Sequence, residues 1–347
     1  MSDKMKFAIV GAGVIAPFHA KAITANEKAE LVAICDTGKE KADSLAEEFS
    51  VSKTYTDYEK MFREEEIDIV SVCVPSGLHS EVTIAGAKAG IHVLCEKPLD
   101  ITSEKMTAMI KACREHNVKL GCVFQRRTLD AAVITRKAIQ EGKLGKLVLG
   151  DAYLKYYRSP EYYASAGWRG TWELDGGGAL MNQGVHGIDL IQWMVGDVDS
   201  VFAYTAPLVR DIEVEDTAVI AVKYKNGAFG VIQGTTSVYP GQETRFEIHG
   251  ENGSIIFSDS GFQQWTFLDG DNEIPQVENV EGGGSDPKAI SDEGHFVFVE
   301  DMIQAVTDNR EPLVPGEEAR KAVDLILAIY ESSRTGKEVK VGADSLE

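Results

Sequence analysis

Two short stretches of this chain hold residue types that can do chemistry together. In the first, Phe7-Ala8-Ile9-Val10-Gly11-Ala12-Gly13-Val14-Ile15-Ala16, an apolar run ends in a G-x-G-x-x-A turn. In the second, Glu96-Lys97-Pro98 follows the apolar run Ile91-His92-Val93-Leu94-Cys95 and puts an amine at its end. Gly11 can take backbone angles that a Cβ forbids, and Gly13 lacks the Cβ that would keep a pyrophosphate off the main chain. A helix opening after such a turn presents unpaired amides and its positive dipole end to phosphates. Ala16 stands at the third position of the pattern, which governs only helix-to-strand packing. Asp36 closes the next apolar run, Leu31-Val32-Ala33-Ile34-Cys35, at about the 20-residue spacing expected of a ribose-binding carboxylate. It can accept both ribose hydroxyls and would repel a 2′-phosphate. Thr37 and Gly38 follow with no arginine, although Lys39 and Lys41 are near, so the pattern favours NAD over NADP.

With a nicotinamide cofactor, oxidation of a secondary alcohol also needs a base for the hydroxyl proton. Lys97 can be that base if burial and the cationic ring favour its neutral amine. His186 is the second candidate. Asn182, His186 and Asp189 stand at i, i+4 and i+7 on one face of a predicted helix that begins after Gly176-Gly177-Gly178. On that reading His186 holds the substrate hydroxyl or shares its proton with Lys97, and Asp189 orients the ring or plays a structural part. Upstream, Tyr153, Tyr156, Tyr157, Arg158, Tyr162, Tyr163, Trp168 and Arg169 crowd one segment. They combine flat apolar faces for a sugar ring with donors for hydroxyls, a carboxylate or a phosphate. Among the other histidines, His79 is expected to contact the cofactor pocket or to serve a helix start. His19 and His92 read as structural, and His295 as reaching the pocket from the second domain. The spacing of histidines and acids forms no metal-ligand set.

These residues need a frame. Strands are predicted at 6–10, 31–35, 68–74, 91–95 and 119–123, with helices near 17–25, 38–49, 57–63, 79–89 and 102–116. Such alternation indicates βαβ units in a parallel sheet, whose ligands bind beyond the carboxyl ends of the strands. Pro75 and Lys97 fall at that edge. From about residue 147 the runs Leu147 to Tyr157, Ser200 to Thr205, Thr217 to Tyr224, Ala228 to Thr236 and Arg245 to Gly250 suggest antiparallel strands, with a turn at Asn226-Gly227. Helices are predicted near 130–141, 180–195, 294–307 and 317–334, and 269–292 as a mobile acidic loop. The fold class is therefore α/β followed by α+β: a Rossmann domain over 1–123 and an open, mostly antiparallel sheet domain for substrate binding and oligomerisation over 124–347, whose C-terminal helix can pack back on the first domain.

The 347 residues carry a formal net charge of −20, which repels nucleic acid. No apolar run reaches the length of a membrane span, and Met1-Ser2-Asp3-Lys4 enters the first strand without a signal-peptide core, so the expected location is the cytoplasm. Cys35, Cys73, Cys95, Cys113 and Cys122 lie singly in apolar runs and read as buried small hydrophobes.

The chain resembles the Gfo/Idh/MocA oxidoreductases. The marks are Gly11-Ala12-Gly13, Val74-Pro75-Ser76-Gly77-Leu78-His79, Ala89 to Leu99 with its Glu96-Lys97-Pro98, and Gly176 to Asp189. The resemblance implies a nicotinamide cofactor, a cis Lys97-Pro98 bond that holds Lys97 rigidly, and a second domain that builds a homodimer or homotetramer. It places Gly11, Gly13, Val14, Ile15, Asp36, Pro75, Ser76, His79, Glu96, Lys97, Gln125, Trp168 and Arg169 at the cofactor. Lys97, Arg127, Tyr156, Arg158, Tyr163, Asn182 and His186 are expected at a small-molecule sugar substrate. Many family members carry aspartate where this chain has Asn182. A neutral amide cannot act as a base, which leaves the proton to Lys97 or His186 and resembles members acting on nucleotide-linked sugar acids or on glycosides at C3. The expected activity is reversible, NAD-dependent oxidation of a ring hydroxyl, C3 first, of a sugar, glycoside or sugar derivative. The alternatives are glycoside cleavage through transient C3 oxidation and elimination, and a non-catalytic NAD-binding regulator.

Overall fold

The computed structural model of the chain describes residues 4–270, 272–277 and 293–342. Two compact units emerge, Met1–Gln125 with Asp292–Arg320, and Arg126–Ser291 with Lys321–Glu347. Most of the acidic stretch expected to be a mobile loop lies outside the described residues.

In the first unit β1 (Met5–Val10), α1 (Ala16–Ala25), β2 (Ala29–Cys35), α2 (Lys39–Glu48), β3 (Thr54–Tyr55), α3 (Tyr58–Glu64), β4 (Ile69–Val72), α4 (His79–Lys88), β5 (His92–Glu96), α5 (Ser103–Glu115) and β6 (Leu120–Val123) alternate along the chain. The six strands pair in parallel in the order β3-β2-β1-β4-β5-β6. Strands covered on both faces read as continuous apolar runs, and every residue of β4 and β6 is buried. The order reverses between β1 and β4, the crevice where such sheets take a ligand. Side-chain caps open α3, where Asp57 accepts from the Lys60 N–H, and α5, where Thr102 accepts from that of Lys105.

The second unit holds α6 (Asp130–Gln140), β7 (Leu147–Lys155), α7 (Pro160–Ala164), α8 (Val185–Val195), β8 (Val198–Ala206), β9 (Thr217–Tyr224), β10 (Phe229–Thr235), β11 (Arg245–Gly250), β12 (Gly253–Ser258) and β13 (Gly261–Phe267). α9 (Glu293–Thr307) packs against α1 in the first unit, and α10 (Gly316–Thr335) leads to β14 (Val339–Lys340) at the edge of the second. The eight-stranded sheet runs β13-β12-β11-β7-β10-β9-β8-β14, antiparallel except for the β7/β10 pair. Along β9 buried and exposed residues alternate, so one face of the sheet is a core and the other is open. α6 and α8 pack together, and α8 lies on β7. A Cβ on Gly187 would stand 2.2 Å from Leu154 Cδ2, so a larger residue there requires Leu154 to shift.

No described helix is long and apolar enough to cross a membrane. All five cysteines are buried as free thiols.

Candidate functional site

The glycine turn leaves β1 under two constraints. Gly11 adopts φ +98° and donates its N–H to the Cys35 carbonyl at 2.8 Å, while a Cβ there would stand 2.5 Å from the Cys73 carbonyl oxygen. Strand crossing thus requires glycine at 11. At Gly13 a Cβ would meet nothing within 4 Å: the space over the turn is open. α1 begins with Pro17 near its start, no side-chain cap and no acid in its first turn. Asp36 is fixed by two N–H donors, Ala12 on Oδ2 and Gly38 on Oδ1, each at 2.8 Å. Each oxygen keeps a further lone pair for a ribose hydroxyl. An open glycine turn, an uncapped helix start and a half-buried carboxylate fit a dinucleotide. Beside them Val14 is exposed and Ile15 half-buried.

At the carboxyl edge of the sheet, Pro75 and the buried Ser76 follow β4, and the half-buried Lys97 follows β5 with the Lys97-Pro98 bond cis. His79 differs from its expected place at the cofactor. It is buried, with Nδ1 2.8 Å from the Pro98 carbonyl and Nε2 3.0 Å from that of Val74, and so ties the loop after β4 to the loop after β5. Glu96 is also turned inward, 4% exposed. Its Oε1 lies 2.9 Å from His19 Nε2 and 3.3 Å from His295 Nε2, and its Oε2 accepts the Lys97 main-chain N–H at 3.2 Å. His295, expected to reach in from the second domain, belongs to the first unit and is buried there. Gln125 ends the first unit half-buried, packed so closely that a Cβ on Gly294 would stand 2.4 Å from its own Cβ.

In the second unit the predicted helix over 180–195 has two parts, a π-helical turn Ala179–Gly184 and then α8. Glu215 explains the wide turn. Its carboxylate accepts from the N–H groups of Gly178 (3.0 Å) and Leu180 (2.8 Å) and from the Tyr330 hydroxyl (3.0 Å), and its main-chain carbonyl accepts from the Ala179 N–H. Burial raises this carboxyl to about 7, against the pull of its donors.

The turn presents Asn182 and Gln183, both half-buried. Asn182 Nδ2 donates to Asp175 Oδ1 at 2.5 Å, and Asn182 Oδ1 accepts from Gln183 Nε2 at 2.7 Å. Gln183 Nε2 also donates to the Tyr162 hydroxyl, and Gln183 Oε1 accepts from Arg158 Nε and Nη2. Asp175, buried, accepts in addition from the Gly170 N–H. Asp175, Gln183 and Glu215 had no role in the sequence reading; only Gln183 carried a local signal, its place beside Asn182.

Both oxygens of Asp189 accept from Arg127, Nε at 2.7 Å and Nη2 at 2.6 Å, in a buried bidentate pair. Arg127, expected near the substrate, is buried. Tyr156 is buried, its hydroxyl on Thr244 Oγ1 at 2.9 Å. Tyr163 bonds Thr236 Oγ1 at 2.7 Å, and burial pushes it up to about 12. Burial raises Tyr156 and Tyr162 as well, so these hydroxyls stay protonated at neutral pH. Arg158 is buried, with Nη1 on the Tyr157 carbonyl in addition to its bonds to Gln183. Arg169 lies 4.3 Å from the Tyr162 ring centroid and 4.7 Å from that of Trp168, with Nη1 on the Tyr162 hydroxyl. Its buried Nε has no hydrogen-bond partner among the described residues. His186 stands half-buried in the first turn of α8.

Comparison with known proteins bears on both units. The model of the oxidoreductase family with an NAD-binding Rossmann fold matches residues 5–124, and that of the GFO/IDH/MocA C-terminal domain matches 134–256. The chain is 34% identical to the WlbA dehydrogenase from Bordetella pertussis, solved in complex with NADH and UDP-GlcNAcA, over 98% of this chain and 100% of that one, with a TM-score of 0.89. It is 28% identical to the myo-inositol 2-dehydrogenase of Thermotoga maritima over 97% of this chain and 98% of that protein. It is 26% identical to the D-glucoside 3-dehydrogenase of Escherichia coli over 98% of each.

Proposed function

The chain belongs to the Gfo/Idh/MocA family of NAD-binding oxidoreductases, and on that premise we propose that it oxidises the C3 hydroxyl of a nucleotide-linked sugar acid to a ketone, reversibly, with Lys97 and His186 handling the proton. One observation carries the substrate class: the full-length likeness, at 34% identity, to a dehydrogenase crystallised with NADH and UDP-GlcNAcA.

Bound NAD would supply the hydride acceptor for the carbinol carbon. The glycine turn and α1 start would hold its phosphates, and Asp36 its adenosine ribose. The neutral Lys97 Nζ takes the hydroxyl proton, and a His186 ring nitrogen holds the same hydroxyl or shares that proton. Asn182 orients without titrating, since its amide is clamped between Asp175 and Gln183. The three guanidiniums weighed for an anionic substrate sort by their partners. Arg127 is committed to Asp189 and Arg158 to Gln183, whereas Arg169 keeps a donor at Nε for a carboxylate or a phosphate. Burial raises the proton affinity of Tyr156, Tyr162 and Tyr163, which disfavours these three as the base that an elimination needs.

The second unit is also proposed to form a homodimer or homotetramer through the open face of its sheet, where Tyr204, Val219 and Phe229 stand exposed.

The test is incubation with NAD and a panel of UDP-GlcNAcA, free sugars, glucosides and inositols, following reduced cofactor and product mass, with Lys97→Ala as control. NADH formed with the nucleotide-linked acid alone, and lost in the variant, is expected. Glycoside cleaved without net reduction would transfer the reading to elimination, and NAD binding with no conversion would favour a regulator.

A further inference from the structure

Glu96, His19 and His295 form a buried cluster that the proton chemistry above does not use. The two histidines come from α1 and α9 and are 0% and 1% exposed, with their rings edge to face at 5.1 Å. Each Nε2 faces the same carboxylate oxygen, so each must carry its hydrogen there. The Nδ1 atoms are buried and have no hydrogen-bond partner among the described residues. A hydrogen at either Nδ1 would be a buried donor left unmet, which costs roughly 1–3 kcal/mol. Both rings therefore fit the tautomer protonated at Nε2 alone. The three ligand atoms lie close enough to hold a metal ion. Metal-bound histidines, however, donate their other ring N–H to a partner, and these Nδ1 atoms have none among the described residues. The cluster is a hydrogen-bonded holder for a charge.

That charge belongs to Glu96. Burial alone would raise its carboxyl, but the bonds from His19 and His295 outweigh burial and hold it well below the ordinary range. Burial lowers His19. Three thiols stand around Glu96: Cys73 after β4 and Cys95 on β5, both pushed far up by burial first, and Cys122 on β6, whose Sγ donates to the Glu96 carbonyl at 3.7 Å. Neither Cys73 nor Cys95 competes for the negative charge at neutral pH.

We propose that His19 and His295 are positioning residues for Lys97: they saturate one oxygen of Glu96, keep it ionised, and direct its other oxygen onto the Lys97 main-chain N–H, so that a fixed buried anion is hydrogen-bonded to the main chain of the proton-bearing lysine. The anion raises the proton affinity of an amine that burial and a cationic cofactor would otherwise lower too far for a base. The inference rests on the reading of Lys97 as the base.

Two measurements on the full chain, neither needing substrate, test it. ¹⁵N-histidine spectra of the wild type should show His19 and His295 neutral and protonated at Nε2 at neutral pH. The titration of [¹³Cε]lysine, with Lys97 assigned by its loss in Lys97→Arg, should move down in Glu96→Gln, since removing a neighbouring anion lowers the proton affinity of an amine. His295→Gln, which keeps an N–H donor, should leave that titration nearer the wild type than His295→Ala does. A cationic or Nδ1-protonated ring in the wild type, or an unmoved Lys97 titration in a folded Glu96→Gln, overturns the inference while leaving the base reading intact. Turnover retained in Lys97→Ala overturns the base reading itself, whatever the titrations show.

Discussion

Replacing Arg127 with methionine removes the guanidinium that holds Asp189 and leaves a carboxylate with 2% side-chain exposure inside the second unit. Methionine keeps most of the apolar stem, so the loss is largely that of the bidentate pair, two bonds of 2.7 and 2.6 Å. Breaking a buried ion pair from one side costs roughly 3–5 kcal/mol, because the remaining charge has lost its partner. For a unit of this size each kcal/mol lowers the melting temperature by about 2–4 °C, so the transition should fall by about 6–20 °C. Scanning calorimetry reads the shift, and Arg127→Met/Asp189→Leu should recover most of it, since an apolar pair of similar volume needs no charge balance. The opposite pattern, a raised KM for the sugar substrate with an unchanged melting temperature, would refute the reasoning and return Arg127 to the substrate.

Other residues give sharper contrasts. Gly11→Ala sets a Cβ against the Cys73 carbonyl at a positive φ and should cost roughly 1–3 kcal/mol in urea unfolding as well as NAD binding; Gly13→Ala, whose Cβ enters open space, should keep stability and lose NAD affinity by titration calorimetry. The native state of the second unit prefers Glu215 protonated, its carboxyl raised from 4.5 to about 7. The stability it contributes is full below pH 4.5 and falls as pH rises to about 7, by roughly 3 kcal/mol. Urea unfolding at pH 5 and pH 8 should show that loss in the wild type and much less in Glu215→Gln; parallel curves would contradict it. Asn182→Asp would put two carboxyl groups at the 2.5 Å contact with Asp175, where they cannot both ionise. It should lower kcat/KM at pH 7 by about tenfold or more, as small displacements at a reacting centre do, with recovery in Asn182→Asp/Asp175→Asn.

The dinucleotide unit was legible because its determinants are local. A turn that only glycine permits, a carboxylate one strand later and unbroken apolar runs all lie within about 30 residues, as a βαβ unit requires. β3 is two residues long and leaves no period to read. β12 and β13, each opening on glycine, passed without a signal, since their pairing with β11 is what defines them. The candidate site was legible by residue type but not by partner. Asp189 stands three residues after His186, which suggested that one orients the other, yet its partner Arg127 lies 62 residues away. The wide turn under Asn182 is set by Glu215 from 35 residues downstream. His295 was placed in the wrong unit because the chain returns to the first sheet after leaving it, a path that no local pattern records.

Hydride transfer from C3 of a nucleotide-linked sugar acid, as proposed, can be followed with UDP-GlcNAcA deuterated at C3. Incubation with NAD should yield reduced cofactor one mass unit heavier than NADH, together with a 3-keto product, and Lys97→Ala should abolish both. Unlabelled NADH, or no reduced cofactor from protein that binds NAD and the labelled compound, would contradict it.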